Sequence, residues 1–219
     1  MKKAWILQGG WDGHEPVLVS ARFAGILRAE GFETTVFDTL DALLDREALN
    51  AIDLLVPAWT MGTITNEQCR AACDAVASGV GIAGCHGGMC DAFRNATEWQ
   101  FMTGGQWVAH PGNDGTPYRV FLRHNASSSI VEGLSDFDVS SEQYYVHIDP
   151  CVNVLATTRF PVADGPHAAN GAVDVPVVWT KLWGKGRVFY NSLGHHDDVF
   201  NIPEAQELMR RGFLWAARK

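Results

Sequence analysis

The stretch at residues 80–93, VGIAGCHGGMCDAF, constrains the fold more than any other part of the chain. Its first half is small and apolar, as in a strand buried on both faces of a sheet. Gly84-Cys85-His86-Gly87-Gly88 comes next, followed by a run able to turn helical. This spacing reads as a strained strand-to-helix elbow, which lifts one side chain over the end of a sheet. Glycines flank such a turn because the backbone packs tightly there and the central residue is forced toward unusual φ/ψ. The central residue is His86, and strand alternation turns Cys85 sideways into packing. Chemistry is expected around His86, with Gly87 lining the same pocket.

The segments before the elbow alternate between strand and helix. Short apolar strands are expected at 4–8, 34–38 and 53–59. The first helix begins with Glu15 and Pro16, repeats apolar residues at Val19, Phe23, Ile26 and Leu27, and stops at Gly31. A short helix is expected over 41–49, and a longer one runs to Ser78, capped by Thr65 or Asn66. After the elbow the texture changes. A helix over 98–102 precedes strands at 118–122, 143–147 and 152–159. A hairpin joins 175–182 to 187–193 around Trp183-Gly184-Lys185-Gly186, and an amphipathic helix closes the chain over 203–215. The expected class is α/β: a three-layer sandwich with a mainly parallel sheet and extra β-hairpins in the second half, forming one domain over 1–219.

Composition narrows the function classes. A net charge of −8 with no basic stripe argues against a nucleic-acid partner. The five cysteines include no C-x-x-C pair and no disulfide-like framework, which fits reduced thiols. Met1-Lys2-Lys3 leads straight into a strand, and no apolar run approaches about 18 residues. A cytoplasmic protein without a membrane partner is the expectation.

In open α/β sheets, ligands bind beyond the carboxyl ends of the strands. Four segments should converge there: the Gly9–His14 loop, residues 59–63, the elbow, and residues 194–198. His86 is the leading candidate. Of His195 and His196, one should face the cleft, and Asp197 or Asp198 either orients it or caps the next segment. Glu142 is a candidate general base or acceptor for a sugar hydroxyl. Tyr144 and His147 share its face if that segment is a strand. Gly10, Trp11, His14 and Trp59 line the expected cleft, and Trp11, Trp59 and Trp107 are each either core or a stacking surface for a sugar ring. His110, His124 and His167 read as ordinary surface or loop residues. Gly9 and Gly10 carry no phosphate-binding signature.

Several motifs together resemble the ThuA-like (trehalose utilisation) family. They are the opening Gly9-Gly10-Trp11-Asp12-Gly13-His14, the elbow, Ser141 through Pro150 (SEQYYVHIDP), and Pro176-Val177-Val178-Trp179-Thr180 leading to Gly184 through His195 (GKGRVFYNSLGH). The likeness covers essentially the whole chain. It implies a flavodoxin-like fold similar to class I glutamine amidotransferases and a role in sugar catabolism on a disaccharide or an oxidised (3-keto) glycoside. The reaction would be a hydrolysis, elimination or isomerisation, with a sugar-oxidising dehydrogenase in the same pathway. Alignment with the amidotransferases puts His86 where their nucleophilic cysteine stands, so glutaminase activity is not expected.

Three readings remain open at this stage. In the first, His86 and His195 move protons while Glu142 and Asp197 hold hydroxyls or tune the imidazoles, without a required cofactor. In the second, His14, His86 and His195 contribute to a site for a divalent metal such as zinc, although no H-x-x-x-H spacing certifies it. In the third, a non-catalytic protein binds a sugar or a partner on an old amidotransferase scaffold. A homo-oligomer is compatible with all three.

Overall fold

The computed structural model describes residues 1–124 and 128–219. Its strands in chain order are β1 Lys2–Gly10, β2 Phe32–Phe37, β3 Leu54–Thr60, β4 Gly81–Cys85, β5 Gly105–Ala109, β6 Thr116–Leu122, β7 Phe137–Ser141, β8 Tyr145–Ile148, β9 Asn153–Phe160, β10 Val173–Trp183 and β11 Gly186–Asn191. The α-helices are α1 Pro16–Ala29, α2 Arg46–Asn50, α3 Asn66–Ser78, α4 His86–Cys90, α5 Thr97–Thr103 and α6 Pro203–Ala216.

Nine strands form one sheet in the order β2-β1-β3-β4-β11-β10-β9-β6-β7. The first five run parallel, and β10, β9, β6 and β7 continue antiparallel. The central strand β4 is buried along its whole length, which explains its lack of polar alternation. On β1, Ala4 and Ile6 face a core shared with Phe23 and Leu27 of α1 and Leu208 and Phe213 of α6. Leu7 faces the opposite core, built with Cys69, Ala72 and Val76 of α3 and Trp99 of α5. Strand alternation therefore feeds both layers, and the mixed three-layer architecture is the one the sequence implies.

Three local readings need correction. Residues 41–49 are not one helix: a 3-10 turn over Leu40–Leu44 ends at Asp45, whose side chain caps the amide of Ala48 and starts α2. Residues 143–147 are not one strand, because β7 ends at Ser141 and β8 starts only at Tyr145. Glu142, Gln143 and Tyr144 turn between them and are all buried. Residues 105–109, which look like a break in the pattern, form β5 and pair antiparallel with β8 in a small separate sheet.

Candidate active site

The carboxyl ends of β1, β3, β4 and β11 open on one side of the sheet, and each delivers a group to one pocket. β1 runs out at Gly10 into a short 3-10 turn that ends on His14. Gly10 has φ of +80°, and a Cβ there would lie 2.0 Å from the carbonyl oxygen of Thr60. Only glycine lets these two chain ends meet. β4 turns directly into α4 at the elbow, where His86 itself adopts φ of +48°. Left-handed backbone at a non-glycine residue is strained and persists only when its surroundings fix it. Here the Tyr190 hydroxyl donates to the His86 carbonyl oxygen at 3.0 Å. The His86 ring also stacks on Tyr144, with centroids 4.0 Å apart.

Four polar side chains, His14, His86, Glu142 and His195, meet in this pocket, none more than 8 % exposed. Glu142 Oε2 lies 3.2 Å from His86 Nε2, 3.3 Å from His195 Nδ1 and 4.0 Å from His14 Nε2. The far nitrogens of two rings are tied down: His86 Nδ1 donates to the Ser192 carbonyl oxygen at 2.8 Å, and His14 Nδ1 meets Thr60 Oγ1 at 2.8 Å. A carbonyl can only accept, so the proton of neutral His86 sits on Nδ1 and a lone pair on Nε2 faces the carboxylate. His195 Nδ1 is buried without a hydrogen-bond partner.

Burial, and then the neighbouring imidazoles of His86 and His195, push His14 down to about 2, so its ring is neutral. Burial lowers His86 as well, only partly offset by Glu142 and Ser192. Burial alone would raise Glu142, but the imidazoles of His195 and His86 hold its carboxyl below the usual carboxylate range. The result is a buried carboxylate among three imidazoles. Tyr144 is pushed well up by burial and by Glu142, so its phenol stays protonated. Burial also raises the Cys85 thiol, so the elbow cysteine carries no thiolate.

Other expected residues fall at the rim or outside. Trp11, 46 % exposed, sets its ring edge-on to His14 at 4.8 Å and forms an open wall. Gly87 is buried, and a Cβ there would sit 2.7 Å from His14 Nδ1, so its role is to leave room for that ring. His195, not His196, faces the pocket; His196 sits at the rim, 3.5 Å from Asp114 and 3.7 Å from Glu15.

Asp197 does not orient an imidazole, because both its oxygens accept from Arg22 of α1 at 2.6 Å. His147 is exposed on β8 and packs on Tyr145, away from Glu142; at a separation of five residues, strand alternation itself sets the two on opposite faces. Trp59 is half-buried and lies over Gly9 and Gly62 as packing. Trp107 carries the guanidinium of Arg94 at 4.5 Å, and Arg94 is itself clamped by buried Asp91.

Sequence reasoning missed two members. His110 Nδ1 lies 3.5 Å from Glu142 Oε1, and its ring runs nearly parallel to that of Tyr144, with centroids 6.2 Å apart. Its signal was the strand ending at Ala109 and the Pro111-Gly112 turn after it. Thr60 holds His14 and has no motif of its own.

A small cavity touches the cluster, and a larger one is lined by neighbours of its residues in the chain. One of about 10 Å³ beneath His14 and His86 has room for roughly one water. Another, about 380 Å³, lies beside Ala109, Pro111 and Tyr145 with Phe160, His167 and Val173. These are the chain neighbours of His110 and Tyr144.

A family model described as ThuA, trehalose utilisation, matches residues 3–216. No curated protein matches the chain. Among solved structures, a ThuA-like protein from Bacteroides uniformis ATCC 8492 superposes with a TM-score of 0.77 at 19 % identity, covering 98 % of this chain and 90 % of that one. A cytoplasmic protein from Salmonella typhimurium LT2 gives a TM-score of 0.69 at 14 % identity with both chains fully covered. A β-galactosidase from Bacillus circulans sp. alkalophilus gives 0.64 at 12 % identity, covering 98 % of this chain but 30 % of that one. These identities speak to the fold alone.

Proposed function

The chain belongs to the ThuA (trehalose utilisation) family, and from that premise we propose that its pocket is an enzyme active site acting on a keto-sugar or disaccharide by proton transfer. The reaction class is acid–base chemistry beside a sugar carbonyl. Its first step, removal of a C–H proton next to the carbonyl, is shared by elimination and isomerisation. The observation that carries this reading is one buried carboxylate, Glu142, approached by His86, His195 and His14 on one oxygen and by His110 on the other. A packed core has no use for such a set, whereas proton transfer needs groups of this kind held without solvent.

Further features support it. The elbow holds a histidine over a protonated thiol, which argues against a residual glutaminase. The cavity of about 380 Å³ lined by Ala109, Pro111 and Tyr145, chain neighbours of His110 and Tyr144, is large enough for a sugar ring, and Trp11 offers an exposed face to a sugar. A keto-sugar substrate requires an upstream dehydrogenase that oxidises a ring hydroxyl. With a structural neighbour that is a cytoplasmic protein, we place this activity in the cytoplasm with that partner reaction; no described helix is long and apolar enough to cross a membrane.

The test is turnover of trehalose and its 3-keto derivative, followed by mass spectrometry, by the wild type and by Glu142→Gln. The variant keeps the shape of the pocket and removes its charge. We expect kcat to fall by about 10²–10⁴-fold while the melting temperature holds. Equal turnover by both proteins would contradict the assignment, and sugar binding without any turnover would favour a binding protein on the same scaffold.

A further inference from the structure

We propose that His14, His86, Glu142 and His195 form the coordination site of one divalent first-row metal ion, with zinc the best match to the donors. The inference deepens the reading of this pocket as a sugar-processing site, but it stands on the geometry of four side chains.

One ligand-type atom of each residue lies within 4.8 Å of one from every other. Around Glu142 Oε2 the inward nitrogens sit at 3.2, 3.3 and 4.0 Å. For bonds of about 2.0–2.2 Å in a tetrahedral site, ligand atoms stand about 3.3–3.6 Å apart. Small side-chain adjustments would close the set around an ion.

The outer partners point the same way. A metal-binding imidazole normally gives its second N–H to a carbonyl or another acceptor, which fixes the tautomer. His86 does so to the Ser192 carbonyl oxygen, and the Thr60 hydroxyl is placed to accept in the same way from His14, both at 2.8 Å. The Nε2 atoms of both rings then converge on the carboxylate. His195 Nδ1 adds a buried atom with no hydrogen-bond partner. Three imidazole nitrogens and a carboxylate oxygen gathered this closely in a buried pocket call for a positive charge between them, and their convergence on one point suits a metal ion. Three imidazoles and one carboxylate suit zinc, and no sulfur ligand takes part.

Expanding to five ligands, an ion held here would polarise a sugar carbonyl oxygen as a Lewis acid. Glu142 would then serve the ion through Oε2. His110, beside Oε1, would remain to accept the proton.

The experiment uses untagged protein, stripped with a chelator and then titrated with Zn²⁺ against a competing dye, with Co²⁺ as a spectroscopic substitute. We expect one ion per chain and a visible Co²⁺ spectrum of low coordination number. His195→Gln and the near-isosteric Glu142→Gln should each weaken binding by roughly 100-fold or more, and Thr60→Val by about 10–100-fold. His147→Gln, on exposed β8, should leave it unchanged. Far-UV circular dichroism checks that every variant is folded. Absence of stoichiometric binding, or binding unchanged in folded His195→Gln and Glu142→Gln, would overturn the proposal. The readout involves no sugar: an ion bound as described without turnover supports the site and counts against the enzymatic reading, and turnover by the metal-free protein does the reverse.

Discussion

At the scale of single residues, the pocket depends on what surrounds its chemical groups as much as on those groups themselves. Gly87 shows this. Its missing side chain is the space occupied by the His14 ring and the Thr60 methyl, each 2.7 Å from where a Cβ would stand. Gly87→Ala should push His14 off its 2.8 Å contact with Thr60. Misplacement by about 1 Å costs roughly 10²-fold in rate, and the crowding adds about 1–3 kcal/mol of destabilisation. Steady-state kinetics beside thermal melts would show a rate loss in a protein that still folds, whereas unchanged kinetics would contradict the packing described here. His86 was legible from the sequence because an elbow announces its central residue. Glu142 and His195 were legible through family motifs. His110 was not, since a histidine before Pro-Gly looks like any loop histidine until the fold sets it against Glu142. Asp197 was misread for the converse reason: its nearness in sequence to His195 says nothing about Arg22, which arrives from a different element.

At the scale of elements, local signals served well where they are self-contained. Thr65 was one of two candidates to cap α3, and it does so through a full capping box with Gln68. Thr65→Ala should cost about 1 kcal/mol, or roughly 2–4 °C in melting temperature for a chain of this size, with activity unchanged because α3 lies away from the pocket groups. A melt that does not move would mean that tertiary contacts alone hold that helix end. Boundaries failed where the deciding partner is remote. Glu142-Gln143-Tyr144 has strand-like composition, yet Tyr118 donates from β6 to the Glu142 carbonyl oxygen at 3.0 Å, and the Gln143 side chain bonds Thr158 of β9 at 2.9 Å. These bonds turn the segment inward and break the strand expected there, and His147, five residues from Glu142, would have faced the opposite side even of an unbroken strand. β5 was missed because its partner, β8, lies some forty residues onward and no hairpin turn joins them.

At the scale of the molecule, β11 decides the arrangement. The last strand of the chain inserts between β4 of the parallel half and β10 of the antiparallel half. Ser192 and His195 thereby arrive beside the elbow of a strand about a hundred residues earlier. The fold class was legible from alternating strand and helix patterns, but strand order was not, because it is set by pairings distant in sequence. The same assembly brings β1, β3, β4 and β11 to one edge, so four loops unremarkable in isolation make one buried ionisable cluster. That cluster as a site of proton transfer is the central claim, and it can be tested without knowing the net reaction. The protein is incubated with a 3-keto sugar in D₂O, and NMR follows exchange of the protons beside the carbonyl. The account predicts exchange well above the protein-free rate for the wild type, falling to background in Glu142→Gln. Exchange no faster than the protein-free control would contradict it.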